Sequence, residues 1–146
     1  MTDAIIRERA SLSLRLHYDL SVIGLDPSEL DYQLFFRDYS KTYYGRYVRK
    51  NYYGEIVPIV IVYLFRNKEK TALYDYEDII STTIHEICHH LQYSDETFIR
   101  KKGVMHNKQF WELYHKYMNL YFEKCDSVKK GARYNESIKK AKRAIK

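Results

Sequence analysis

Apolar residues return at helical spacing in the second half of the chain. The first such stripe runs through Ile80, Ile84, Ile87, Cys88 and Leu91. Asp75 stands where an N-cap is needed, with Asp78 three residues later. The pattern predicts a helix that begins after Asp75 and turns this stripe towards the core.

A second stripe, strongly aromatic, predicts the last helix of the fold. It consists of Phe110, Trp111, Tyr114, Tyr117, Met118, Tyr121 and Phe122. We expect this helix to be anchored in the core through its rings. His106 is predicted to lie in its first turn, one turn before Phe110.

The first third of the chain predicts two more helices. Residues 4–23 form the first and Gly24 ends it, although the leucines of this segment also fit a period of two. Asp26, Pro27 and Glu29 carry the signals of a second helix start. Its core-facing residues are expected to be Leu30, Leu34 and Phe35.

The middle of the chain predicts strands. Residues 42–49 alternate with aromatic and β-branched content, residues 51–54 offer a turn, and residues 56–65 are rich in β-branched side chains. Pro58 has no N–H to donate, so the second strand begins at Ile59 or lies at an edge. Residues 66–70 form a polar turn, and a short strand is expected at 72–74.

These elements predict an α+β fold. We expect a compact domain with N-terminal helices and a small sheet that is mainly antiparallel or mixed. The length of 146 residues fits one domain with a real core. The longest uncharged apolar run, residues 56–65, is about half the length that a membrane span needs. Because charged residues interrupt the N-terminus, no signal peptide is predicted and a cytoplasmic location is expected.

Charge divides the chain in two. Residues 126–146 hold eight Lys or Arg against two acidic residues, a net charge equal to the +6 of the whole chain. We therefore predict a domain over residues 1–125 and a basic tail over 126–146. Cys88 lies on a core stripe and Cys125 follows the last helix, so no disulfide framework is expected.

The first predicted stripe shares its helix with a chemical motif. His85, Glu86 and His89 form H-E-x-x-H, the pattern that zinc peptidases place on a helix. Residues four apart differ by about 6 Å of rise and roughly 40° of rotation, so both imidazoles can reach one metal ion. Both lie well away from the apolar stripe, on a face with Thr82 that looks into a cleft or solvent. Glu86 is then placed beside the metal as a general base.

Hydrolytic zinc sites use three protein ligands and leave one position open for water. His106 is the predicted third ligand, because a core-anchored helix would aim it. Asp95 and Glu112 are the competing residues. A chain turn three residues after the second His is disfavoured, since Gln92 and not Gly occupies that position.

The motif and its continuation resemble a known family. His-Glu-Ile-Cys-His at residues 85–89, followed by Gly-Val-Met-His-Asn-Lys-Gln-Phe-Trp at residues 103–111, is similar to the SprT-like zinc metallopeptidases. The resemblance implies a zincin-like domain in which His85, His89 and His106 hold one Zn²⁺ per chain and Glu86 is the catalytic base. It implies a protein or peptide substrate, and relatives digest proteins on DNA. Many members add a four-cysteine zinc ribbon, which two cysteines cannot form.

An oxyanion-stabilising donor is expected near the metal. Tyr93, Tyr114 and His115 are candidates, together with His90. Sequence does not choose between them. His90 points away from the direction of His85 and His89, so we expect it at the surface. His115 is likewise compatible with a surface position on the last helix.

Basic and aromatic residues support an alternative function. Arg46, Arg49 and Lys50 are interleaved with tyrosines, a mixture that suits single-stranded nucleic acid, although a Tyr-rich strand can also simply cover a sheet. Further candidate contacts to DNA lie in the tail: Lys139, Lys140 and Arg143. The alternative is thus a nucleic-acid- or protein-binding module with structural zinc. A third option is an assembly protein with an unused site, and the high Tyr, Lys, Asn and Ile content is compatible with a phage origin, which would place the protein in the host cytoplasm.

Overall fold

The computed structural model describes residues 2–95 and 106–125. These residues form an α+β domain, as predicted, with four helices and a three-stranded mixed sheet. In chain order the elements are α1 (Asp3–Val22), α2 (Pro27–Leu30), β1 (Gln33–Arg37), β2 (Gly45–Tyr52), β3 (Glu55–Tyr63), α3 (Tyr76–Ser94) and α4 (Lys108–Lys124). The predicted basic tail lies outside the described residues.

Helix α1 buries one helical stripe. Leu16 and Leu20 are fully buried, whereas Leu14 is 74% exposed. The period-of-two alternative is therefore wrong for this segment, because a strand would have buried all three on one face. Gly24 follows the helix with φ of 81°, a left-handed conformation that glycine adopts without strain.

The second predicted helix is mostly wrong. It exists only as the single turn α2, and the chain reverses at Asp31, whose φ is 56°. Leu34 and Phe35 lie in β1 instead, and Phe35 is 45% exposed and not part of the core. The cause is long-range: β1 pairs in parallel with β3, so backbone bonds to a distant strand replace those of a helix.

The sheet has the order β1-β3-β2, with β2 antiparallel to the central strand β3. Tyr53 and Gly54 connect β2 to β3 with φ values of 53° and 90°, the conformation of a tight hairpin turn. The pairing with β1 begins only at Ile59. The prediction that this strand begins at Ile59 or lies at an edge is wrong, because β3 begins at Glu55 and is the central strand. Pro58 is accommodated because it lies where β3 has one neighbour, so its missing N–H removes no bond to β1.

Two predicted strands differ from the structure. The strand predicted at residues 42–49 keeps its length but lies three residues later, at Gly45–Tyr52. The one predicted at 72–74 is reduced to a bridge between Phe65 and Leu73. Residues 38–44 form an irregular segment between β1 and β2. Three of its residues, Thr42, Tyr43 and Tyr44, line a cavity next to α3.

Helices α3 and α4 carry the two predicted stripes into one core. Ile80, Ile84, Ile87 and Cys88 of α3 are fully buried. They share a cluster with five residues of α4: Phe110, Tyr114, Met118, Tyr121 and Phe122. Over the described ranges, no helix is long and apolar enough to cross a membrane.

Candidate metal centre

Three histidines converge from two elements. His85 and His89 lie one turn apart on α3, and His106 lies two residues before the start of α4. The prediction that His106 belongs to the first helical turn is therefore wrong. Asn107 is the N-cap instead, and its Oδ1 accepts a hydrogen bond from the Phe110 N–H at 2.9 Å. This cap holds the segment that precedes α4 and carries His106.

The three rings present the same nitrogen to a common point. Nε2 of His106 lies 3.1 Å from Nε2 of His85 and 3.0 Å from Nε2 of His89. A tetrahedral ion with Zn–N bonds of about 2.0–2.1 Å separates its ligand nitrogens by about 3.3 Å. His85, His89 and His106 therefore form a group that could hold one such ion.

Burial keeps the imidazoles neutral. Loss of hydration, with a smaller effect of the neighbouring histidines, lowers the pKa of His85 to about 3. Burial likewise lowers the pKa of His89 to about 4 and depresses that of His106. At neutral pH the three nitrogens therefore keep the lone pairs that a metal requires.

Gln92 orients one of these rings. Its Oε1 lies 2.8 Å from Nδ1 of His89, and both side chains are buried. An amide oxygen only accepts, so Nδ1 carries the proton and Nε2 is left for the metal. Sequence reasoning missed this role, although Gln92 is three residues after His89 and so shares its face of the helix.

Glu86 lies beside the histidines in the same cavity and is 7% exposed. Burial raises its pKa to about 7. Strand β2 packs closely here: a Cβ on Gly45 would lie 2.6 Å from the Thr82 methyl group and 3.3 Å from Cγ of Glu86. A side chain at position 45 would therefore push β2 away from the carboxylate.

The cavity around these groups, here called the metal cavity, has a volume of about 560 Å³. Thr82 lines it, as predicted for the His85 and His89 face. Asp95 and Glu112, the competing ligands, line a different groove. The remaining lining comes from the segment before and in β2 and from α3 and α4: Thr42, Tyr43, Tyr44, Gly45, Arg46, Tyr47, Ser81, Trp111 and Tyr114.

Of the candidate oxyanion donors, the structure brings only Tyr114 to the metal cavity. Its hydroxyl lies 2.7 Å from Oγ of Ser81. Tyr93 is 40% exposed and packs against Tyr47, and His115 contacts the Tyr114 ring without lining the cavity.

His90 is not at the surface, contrary to expectation, but 3% exposed. Its Nε2 donates to the Leu30 carbonyl at 2.6 Å, and its Nδ1 accepts from the Tyr47 hydroxyl at 2.8 Å. The flank of α3 that was expected to face solvent is covered by β2 and by the end of α2. His90 therefore joins three elements and is directed away from the metal ligands.

The basic candidates in β2 make contacts within the chain. The Arg46 guanidinium lies 4.7 Å from the centre of the Tyr43 ring, and Arg49 donates to the Tyr47 hydroxyl at 3.0 Å. Lys50 is exposed. Lys139, Lys140 and Arg143 lie outside the described residues, so a role in DNA binding stays a prediction for all six.

Comparison with protein-family models, with curated proteins and with solved structures finds no match to this chain.

Proposed function

We propose that this protein is a zinc-dependent peptidase of the SprT-like kind. The proposal depends on one observation, the convergence of three neutral imidazole nitrogens beside a buried carboxyl group. His85, His89 and His106 would hold one Zn²⁺, which would supply a Lewis acid for the scissile carbonyl and would lower the pKa of a water molecule.

Glu86 has the properties of the general base. A carboxyl with a pKa of about 7 exists in both protonation states at neutral pH. Its carboxylate takes a proton from the attacking water, and its acid form then gives that proton to the leaving amine nitrogen. The Tyr114 hydroxyl, held by Ser81, is the donor best placed to stabilise the developing oxyanion.

An extended peptide suits the mouth of the metal cavity. Strand β2 is an edge strand among the described residues, and Gly45, Arg46 and Tyr47 of this strand line the cavity. A peptide can pair with the free edge of such a strand. Backbone hydrogen bonds would then hold the scissile bond near Glu86 with little dependence on sequence.

The competing function, a binding module with structural zinc, is less well supported. Structural sites close the fourth position with Cys or His. In the described part of the chain the ligand group has three members, Cys88 is buried in the core, and Cys125 contacts the Asp19 carbonyl at 3.9 Å. Exposed Tyr52 and Tyr53 beside Lys50 favour nucleic-acid binding as a second activity, which would direct the peptidase to DNA-associated proteins.

Zinc content and cleavage of an unfolded protein, with and without DNA, test the proposal when measured on the same samples. We expect about one zinc per chain in the native protein, kept in Glu86→Gln while cleavage disappears. His106→Ala should lose both, and His17→Ala, a change of an exposed histidine on α1, should lose neither. Full zinc binding without His106 would overturn the ligand assignment. Stoichiometric zinc without any cleavage would favour the binding module.

A further inference from the structure

Two exposed tyrosines border the metal cavity on one side. Tyr43 and Tyr44, here called the aromatic lip, are 46% and 60% exposed. Their positions are fixed by contacts: the Tyr43 N–H donates to Ser40 Oγ at 3.0 Å, and the Tyr44 ring meets the Tyr74 ring at 5.4 Å between centroids. Exposing large aromatic rings to water costs free energy, and a ligand that covers the rings removes this cost.

Two further aromatic residues, Trp111 and Tyr114, line the same cavity. The Trp111 ring lies 6.0 Å from the His85 ring and 5.7 Å from the His106 ring, and it meets Tyr114 at 5.6 Å. The histidine cluster therefore shares one cavity with the aromatic lip and with Trp111. A side chain adjacent to a bond that is cleaved at this cluster would lie in a cavity lined by these rings.

The metal cavity has one positively charged side chain, Arg46, and a single acidic one, Glu86, among its described lining residues. Arg46 lines it, and among residues 2–95 and 106–125 no carboxylate forms an ion pair with this guanidinium. Glu86 is the only acidic residue among the described lining residues, and it lies beside the histidines. A cationic side chain at the lip would therefore meet Arg46 and a metal ion of the same sign.

We propose that the aromatic lip and Trp111 form a subsite for an aromatic or long apolar side chain of the substrate, next to the scissile bond. Arg46 selects against lysine and arginine there. This inference rests on the proposed peptidase function and specifies its substrate class.

Trp111 gives a readout that does not need catalysis. It is the only tryptophan of the chain, so its fluorescence reports occupancy of this cavity. The probes are peptides of one sequence with Phe, Leu, Ala or Lys at a single position, titrated into the zinc-loaded Glu86→Gln protein. We expect the Phe and Leu peptides to bind about tenfold more tightly than the Ala peptide, and the Lys peptide no more tightly than Ala.

Variants in the same background locate the subsite. Tyr44→Ala should remove most of the preference for Phe, whereas Tyr18→Ala, a change of another largely exposed tyrosine on α1, should leave it unchanged. Arg46→Gln should strengthen binding of the Lys peptide alone. Equal binding of Lys and Phe peptides, equal effects of the two tyrosine changes, or no fluorescence response to any peptide would overturn the subsite.

The two proposals fail in different ways. If native protein cleaves no peptide although the order of binding holds, the peptidase function is wrong and the subsite stands. If native protein cleaves all four peptides at the same rate, the function stands and the subsite is wrong.

Discussion

A single hydrogen bond decides which nitrogen of His89 faces the other imidazoles. Gln92 accepts from Nδ1 at 2.8 Å, and the ring is also stacked on Phe110 at 4.6 Å between centroids. A neutral amide fixes the tautomer without adding a charge to the centre. The histidine cluster is thus oriented by a residue that is not one of its three members.

Replacement of Gln92 should weaken the metal site. We expect Gln92→Ala to lower zinc affinity by about 10- to 100-fold, because His89 loses the partner that orients it. Competition with a chromophoric chelator measures the affinity. Gln92→Glu, which keeps an acceptor, should retain most of it, and Gln109→Ala on α4 is the matched control. Unchanged affinity in Gln92→Ala would mean that Phe110 alone orients the ring.

At the scale of elements, the site depends on how closely β2 approaches α3. Gly45 allows contact with Thr82 and Glu86, and Tyr47 is tied to His90 one turn further along the helix. The position of β2 therefore sets both the surroundings of Glu86 and the edge at which a peptide would pair.

Adding one methyl group at this contact should be costly. We expect Gly45→Ala to lower the free energy of unfolding by about 1–3 kcal/mol and to reduce cleavage, because β2 must move away from Thr82. Urea denaturation gives the stability. Thr82→Ser removes the methyl group at 2.6 Å, so the double variant should recover part of the loss. Additive losses in the double variant would contradict this account.

The start of α4 makes a second prediction at this scale. Asn107→Ala should cost about 0.5–2 kcal/mol of stability and also weaken zinc binding, because the cap fixes the segment that carries His106. Thr2→Ala removes the corresponding cap of α1 and should lower stability alone. Thermal melting and chelator competition separate the two effects. Equal zinc affinity in both variants would show that His106 is positioned by other contacts.

At the scale of the whole molecule, the buried site couples stability to pH. His85 and His89 stay neutral when folded but take up protons near pH 6.5 when unfolded, so acid favours unfolding. Glu86 acts in the opposite direction, because the folded state holds its proton from about pH 7 while the unfolded state takes it up only near pH 4.5. His106, whose pKa is also lowered, adds to the loss. Between pH 6.5 and 4.5 the losses of stability at the histidines therefore exceed the single gain at Glu86.

The metal-free protein should accordingly lose stability as the pH falls through this window, by about 1–3 kcal/mol per pH unit. In Glu86→Gln the opposing gain is absent, so the loss should be steeper by about 1 kcal/mol per pH unit. Denaturation midpoints at a series of pH values measure both slopes. Glu8→Gln, a change of an exposed residue on α1, should follow the native protein. A shallower slope in Glu86→Gln would contradict the protonation of Glu86 in the folded state.

Local patterns in the sequence determined the helices that carry the site. Periodicity identified α1, α3 and α4 and the buried faces of α3 and α4. The spacing of His85 and His89 placed both on the cavity side, because a helix is specified by neighbours within a few residues. The H-E-x-x-H motif and His106 were recognisable for the same reason. The mixed α+β class also followed from these patterns.

Only the tertiary structure decided what depends on distant partners. Residues 33–37 form a strand because β3 offers its edge, and His90 is buried because β2 and α2 cover it. The convergence of His106 with His85 and His89, and the arrival of Tyr43 and Tyr44 at the same cavity, likewise follow from packing. Such contacts join residues far apart in the chain, and local periodicity does not encode which of them meet.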